Sequence, residues 1–268
     1  MWWQVWIPNP ILFNFASLSI RWYGLILVIA IVLASLYAGH FLIKKKVLSS
    51  RQVDDLFFYV IIFGLLGARF GHVVFFELGY YLQYPIDIFK IWHGGISIQG
   101  ALLGGIVTII LWARHNKINF WKLVDVMVPA VALGQFIGRW GNYFNQELFG
   151  KPTDSWWGIP IAAINRVEAY QYFTHFQPAF FFESILNLVL FIILHFAFKI
   201  SKLKAGIITL SYFIGYSIIR FFMEFIRIDE TFILWGFRLP QLISLVVIIV
   251  AIALIFMMVF KPLPKSKK

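Results

Sequence analysis

No cysteine occurs in the chain, so disulfides, thiolate nucleophiles and thiolate metal sites are excluded from it. Charge is scarce too. Asp, Glu, Lys and Arg make up 13% of the 268 residues against 61% hydrophobic, and the mean hydropathy is +0.82. A soluble domain carries about 25% charged residues, so this composition describes a polytopic membrane protein. The net charge of +11 would suit nucleic acid, but the basic residues fall in short clusters between apolar runs, as membrane topology demands, and nucleic-acid binding is set aside. The basic n-region of a cleavable signal peptide is missing as well, since the first basic residue is Arg21, and the N-terminus is expected to be retained. There is no short-period repeat, no low-complexity segment and no stretch for a soluble domain. His40, His72, His93, His115, His175 and His195 show no ligand spacing on one helix, so neither a metal nor another cofactor is expected.

What is present is a series of apolar runs. Residues 1–16 hold Trp2, Trp3, Trp6, Phe13 and Phe15 broken by Pro8 and Pro10, which predicts an interfacial arm at the headgroup boundary. A bilayer core needs about 20 apolar residues per helix. Seven stretches meet this: 18–43, 54–76, 96–113, 122–145, 178–198, 205–226 and 239–260. The expected fold is therefore all-α, a single integral membrane domain over 1–268, with an external loop at 146–177 and a basic tail at 261–268. Lys44, Lys45, Lys46 and Arg51, then Arg114, Lys117 and Lys122, then Lys199, Lys202 and Lys204, then Lys261, Lys265, Lys267 and Lys268 all fall on alternate connections. Those connections face the cytoplasm, so the N-terminus is predicted outside and the C-terminus inside.

Arg69, Arg139 and Arg220 lie within spans, each in the outer half. Charge at membrane depth costs at least about 2.5–3.5 kcal/mol and marks a ligand or a buried partner. Exclusive use of arginine, a planar fork, favours a phosphate-like anion. Tyr216, Arg220 and Glu224 stand four apart on one helical stripe that Arg227 continues, and Glu224 can pair with Arg220. Taken alone, such a stripe also reads as a structural ion-pair ladder. Arg139 and Asn142 share a face, with Asn145 and Glu147 beyond them; Glu183 follows Pro178 in the first turns of span five. Arg69 and His72 share a face of span two, with Glu77 at its exit.

Between spans two and three, Trp92-His93-Gly94-Gly95-Ile96-Ser97-Ile98-Gln99-Gly100 brings paired glycines to a helix start, where backbone N–H groups can meet an anion. Packing explains such glycines equally well. Gly64, Gly67 and Gly71, Gly100 and Gly104, and Gly134 and Gly138 give the small-xxx-small spacing of close helix contact. Ser97 lacks the context of a nucleophile. Once topology is assigned, Arg139, Asn142, Glu147, Glu183, Tyr216, Arg220, Glu224 and the His93–Gln99 segment all reach the outer boundary. A site there would meet outer-leaflet lipids and peptide presented from outside.

The stretch Gly138 to Gly150 resembles the signature of the bacterial prolipoprotein diacylglyceryl transferases, with Tyr143 where phenylalanine is usual. Arg21-Trp22-Tyr23-Gly24, Gly94-Gly95 with Gly100, Pro178 to Glu183, and Gly215-Tyr216 through Arg220, Glu224 and Arg227 resemble the family's other motifs, in order and over nearly the whole chain. The resemblance implies seven spans in a bacterial plasma membrane, with the active site toward the outer face. It implies transfer of a diacylglyceryl group from phosphatidylglycerol to the lipobox cysteine of a prelipoprotein, with release of glycerol phosphate and no cofactor. Arg139 would correspond to the arginine that contacts the phospholipid headgroup and Arg220 to a second essential arginine. Tyr23, Asn142, Glu147, Gly150 and Glu224 match further positions of importance, and Gly100 belongs to a matching motif. Where many members carry a histidine before that glycine, this chain has Gln99, which cannot take a proton at neutral pH. Either the base lies elsewhere, with His93, Tyr216 and Glu147 as candidates, or the reaction does not depend on that histidine. A transporter or channel binding a phosphate-like anion at the buried arginines is the rival reading, although transporters place such residues near the midplane in repeated halves.

Overall fold

The computed structural model describes residues 1–15, 18–200 and 203–260; Lys202 and the basic tail 261–268, both used above for orientation, lie outside them, as does residue 16 of the arm. The apolar runs fold as helices α1 (Trp22–Lys44), α2 (Ser50–Phe75), α4 (Ile98–His115), α5 (Phe120–Asn145), α6 (Ala179–Ile200), α7 (Ile207–Met223) and α8 (Leu239–Phe260), with a short α3 (Leu78–Gln83) after α2. Six are long and apolar enough to cross a membrane; α7, at 17 residues, is shorter than expected. Its 17 residues rise about 25 Å. Gly206, at φ 102°, delays its start, and the helix stops at Met223, before Glu224 and Arg227. Most side chains of α8 are uncovered by protein, which suits lipid and not water.

One expectation is corrected. The first span begins at Trp22 and not at residue 18, because Leu18–Arg21 (β2) pairs antiparallel with Ile11–Phe15 (β1) and the Trp22 amide donates to the Pro10 carbonyl at 3.0 Å. A short apolar run suits strand and helix equally, and the neighbouring strand decided it. The architecture is helical, with two further two-stranded hairpins among the described connections: Ile159–Pro160 (β3) pairs with His175–Phe176 (β4), and Ile233–Leu234 (β5) with Phe237–Arg238 (β6).

The chain forms two compact units, residues 1–38 with 125–268, and residues 39–124. In the first, Val128, Ala132, Leu190, Leu194, Tyr212 and Met223 are among the residues of a buried core. Asp125, buried on α5, caps α7: its carboxylate accepts from the amides of Gly206 (2.6 Å) and Thr209 (2.8 Å) and from the Thr209 hydroxyl (2.6 Å). A smaller cluster of Phe149, Ile159, Ile161, Phe176 and Phe180 underlies the 146–177 connection.

In the second unit α2 and α4 pack backbone to backbone. A Cβ on Gly67 would stand 2.5 Å from the Gly100 carbonyl oxygen, and one on Gly104 would stand 2.4 Å from that of Phe63. Only glycine permits this approach. Ser49 opens α2 with a capping box closed by Gln52. Ser97 opens α4, its hydroxyl accepting from the Gly100 amide at 3.3 Å.

Candidate active site

The polar end of α5 is shaped by how the helix stops. After Asn145 the chain enters left-handed conformations at Gln146 (φ 52°) and Leu148 (φ 55°), and the Glu147 amide turns back to the Asn142 carbonyl at 3.1 Å. That reversal brings the Glu147 carboxylate over Asn142, whose amide donates to it at 2.8 Å; Asn145 donates to the same oxygen at 3.4 Å. Asn142 in turn accepts from Arg139 at 3.3 Å. The buried Gln146 holds the following connection, its side-chain oxygen accepting from the Ala162 amide (2.9 Å) and from Asn165 (3.0 Å).

Around this end a web of ion pairs gathers. Pro178 precedes α6, and Glu183, 2% exposed in the second turn, pairs with Arg139 through one oxygen and lies 3.8 Å from Arg227 through the other. Glu224 follows α7 directly. Its Oε1 pairs with Arg220 at 2.5 Å and lies 3.8 Å from Arg227, while its Oε2 pairs with Arg238 at 2.6 Å. Asp229 joins Arg227 at 2.8 Å and Arg238 at 3.7 Å. Each buried acid therefore serves more than one guanidinium, the condition under which buried charge is tolerated.

The web divides by exposure. The side chains of Arg139, Arg220 and Arg238 are 18%, 21% and 21% exposed, whereas Arg227 is 5% exposed and anchors the rest. Burial works against the charge of Arg227, but its hydrogen bond and charge pairing with Asp229, with Glu183 and Glu224 behind, hold its pKa above the ordinary value. For Asp229 burial pushes upward, and the hydrogen bond to Arg227 with the charges of Arg227 and Arg238 outweighs it, so its carboxyl titrates below the usual range. Arg139, Arg220, Arg227 and Arg238 against Glu183, Glu224 and Asp229 leave one positive charge in excess. Glu147 brings the wider cluster to neutrality. An anion would thus be drawn by the open guanidinium faces, not by net charge.

Other expected residues join this unit. The Tyr23 ring packs on α5 at Gly141, where a Cβ would stand 2.7 Å from it. Gly150 bridges to Arg227 as an isolated strand pair, and its amide donates to the Gln177 carbonyl at 2.9 Å; a Cβ there would meet Gln177 at 2.9 Å and the Ile226 oxygen at 3.1 Å. Tyr216 stacks on Tyr212, ring centroids 5.9 Å apart and 10° from parallel.

Arg69 is corrected. Its guanidinium is taken up by backbone carbonyls, with Nε donating to Ile88 at 2.7 Å, Nη1 to Gly94 and Gly95 at 2.8 Å each, and Nη2 to Asp87. It is a clamp on the 87–95 connection within the second unit, not a third fork for an anion. His93 ends the 3-10 turn Ile91–His93 of that unit, and its side chain lies outside the description. Gly100 is a packing position, and Gln99 accepts from the Ser97 hydroxyl at 2.9 Å. Among the described residues no three His, Asp or Glu side chains are grouped to hold a metal ion.

Arg238 and Asp229 are not among the residues that the sequence singles out. No local pattern marks them, because the β5–β6 hairpin returns Arg238 to a glutamate 14 positions earlier.

The profile of the family described as prolipoprotein diacylglyceryl transferase matches residues 10–257. Among relatives named phosphatidylglycerol–prolipoprotein diacylglyceryl transferase, that of Synechococcus elongatus is 41% identical over 90% of this chain and 84% of its own length. That of Synechocystis is 37% identical over 92% and 88%, and that of Listeria innocua 38% identical over 92% and 88%. With its helices long and apolar enough to span a bilayer, this chain is a multi-pass membrane protein that belongs to the prolipoprotein diacylglyceryl transferase family.

Proposed function

We propose that this protein transfers the diacylglyceryl group of phosphatidylglycerol to the lipobox cysteine thiol of a prelipoprotein, forming a thioether and releasing glycerol phosphate. The observation that carries the reading is the pair of partly open guanidiniums, Arg139 and Arg220, each held from behind by a buried glutamate. The thiolate sulfur attacks the glyceryl carbon bonded to the phosphate ester oxygen. The carbon–oxygen bond breaks, and its electron pair stays on the phosphate. Charge therefore grows on the phosphate in the transition state, where a positioned donor is worth about 2.7–4 kcal/mol. Glu183 and Glu224 hold the forks in place before substrate arrives, so little reorganisation accompanies that charge.

Arg139, Asn142, Arg220, Glu224 and Tyr23 bind the headgroup in this reading, while Gly150 and Gly100 act by allowing close backbone packing. The thiol proton goes to a base among Glu147, Tyr216 and His93. A thiol pKa of about 8.5 needs only a modest base or a cationic neighbour. The chain sits in the bacterial plasma membrane with seven spans, the sixth of them the short α7, the N-terminus outside and the site toward the outer face. The 1–16 arm lies at the headgroup boundary and the 146–177 connection outside, where Trp156, Trp157 and Tyr172 are exposed and suited to an interface. The transporter alternative finds no support in the relatives.

The test is reconstitution of the purified chain with phosphatidylglycerol and a lipobox peptide, read by mass spectrometry. A thioether-linked diacylglyceryl peptide is expected. An unmodified thiol in the presence of intact donor refutes the proposal.

A further inference from the structure

Along one side of the α2/α4 pair runs a groove of about 790 Å³ that the reaction above does not use. Its floor is glycine backbone at Gly67 and Gly104, and its walls are Phe63, Leu66, Phe70 and Leu111, all strongly exposed apart from the glycines. Close contact of the two backbones creates it: side chains on either flank stand up from a floor that has none. Thr108, buried partway along, has its hydroxyl proton committed to the Gly104 carbonyl at 2.7 Å and so has no donor left for a ligand. The groove becomes polar only at one end, with Asp55 from the start of α2 and His115 and Asn116 from the close of α4. Asp55 is exposed there and has no ion-pair partner among the described residues.

We propose that this groove binds one phospholipid with an amine headgroup, an acyl chain lying along Phe63, Leu66 and Leu111 and the ammonium paired with Asp55. The inference rests on the membrane orientation proposed above, which puts the Asp55 end at the cytoplasmic boundary. Asp55 to Phe70 is fifteen residues of helix, about 22 Å, enough for a chain to descend through one leaflet of a core about 30 Å thick. An apolar channel at that depth holds no water, and an empty one would forfeit contacts along its whole lining. The carboxylate at the mouth selects the headgroup: it attracts an ammonium and repels the anionic phosphatidylglycerol. His115 and Asn116, which line the same end of the groove, are the polar groups nearest to where the phosphate of a zwitterionic lipid would sit. The groove would therefore hold a resident lipid without drawing on the donor pool.

Native mass spectrometry of the full chain, delipidated in detergent and titrated with phosphatidylethanolamine or phosphatidylglycerol of matched acyl chains, tests this. One phosphatidylethanolamine is expected to be retained with about fivefold preference, as an exposed ion pair gives. Leu111→Trp, on an exposed wall, should lower that retention about tenfold, the equivalent of two methylenes displaced. Asp55→Asn should leave retention but remove the headgroup preference. Equal retention of both lipids by the unaltered chain, or undiminished retention in a folded Leu111→Trp variant, overturns the proposal. A chain that retains the amine lipid but transfers no diacylglyceryl group refutes the proposed reaction and leaves the groove standing. One that transfers normally without groove-dependent retention refutes the groove alone.

Discussion

Replacing Arg139 by lysine keeps one positive charge beside the buried Glu183 but cannot keep the fork. In the native site Nη2 of Arg139 meets Glu183 while Nη1 donates to Asn142 at 3.3 Å, so the guanidinium plane is fixed at two points and its remaining edge is open. A lysine ammonium satisfies Glu183 and leaves Asn142 and the phosphate without their donor. The lost transition-state contact is worth about 2.7–4 kcal/mol, a fall in kcat of roughly 10²–10³. Stability should change little, because Glu183 stays paired and Arg227 stands 3.8 Å from its other oxygen. Arg139→Ala differs. It uncovers a carboxylate that is 2% exposed, and breaking a buried pair typically costs about 3–5 kcal/mol. Arg227 should hold the loss near the lower figure. The assay is initial-rate transfer to a lipobox peptide in phosphatidylglycerol vesicles, with thermal unfolding in detergent measured alongside. A lysine variant within about threefold of native activity would mean that a point charge suffices, and the argument from fork geometry fails.

Asp125→Ala should destabilise the protein by about 2–4 kcal/mol, combining a lost helix cap with lost interaction at the α7 N-terminus, seen as a lower unfolding temperature; an unchanged temperature would deny Asp125 that role. Because Asp229 titrates lower in the folded protein than in the unfolded chain, its contribution is fully present above the unfolded value of about 4 and is lost as pH falls through the folded one. Asp229→Asn should therefore flatten the acid limb of a stability–pH curve, and a limb of undiminished slope would exclude Asp229 as its source. Gly67→Ala should cost about 1–3 kcal/mol by driving a methyl into the Gly100 carbonyl, whereas Gly79→Ala, with nothing within 4 Å, should be near neutral; equal stabilities would contradict backbone contact between α2 and α4.

Much of the site was legible as spacing. Arg220 and Glu224, four apart, do pair, Glu183 does stand in the first turns after Pro178, and Asn142 does share a face with Arg139, because helical periodicity is local and strong. Arg69 looked the same as Arg139 on paper. What separates them is the partner each found, four backbone carbonyls in one case and a buried carboxylate with an open edge in the other.

By itself the sequence determined that the chain is a multi-pass membrane protein built of long apolar helices and which polar side chains interrupt them, since these depend on composition and on neighbours a few residues away. Only tertiary structure decided that Leu18–Arg21 pairs as a strand, that α7 is cut short at Gly206 under the Asp125 carboxylate, and that Arg238 and Asp229 complete the ion web. Those outcomes hang on contacts between distant segments, and a charge carries no mark in sequence of which opposite charge will be folded against it.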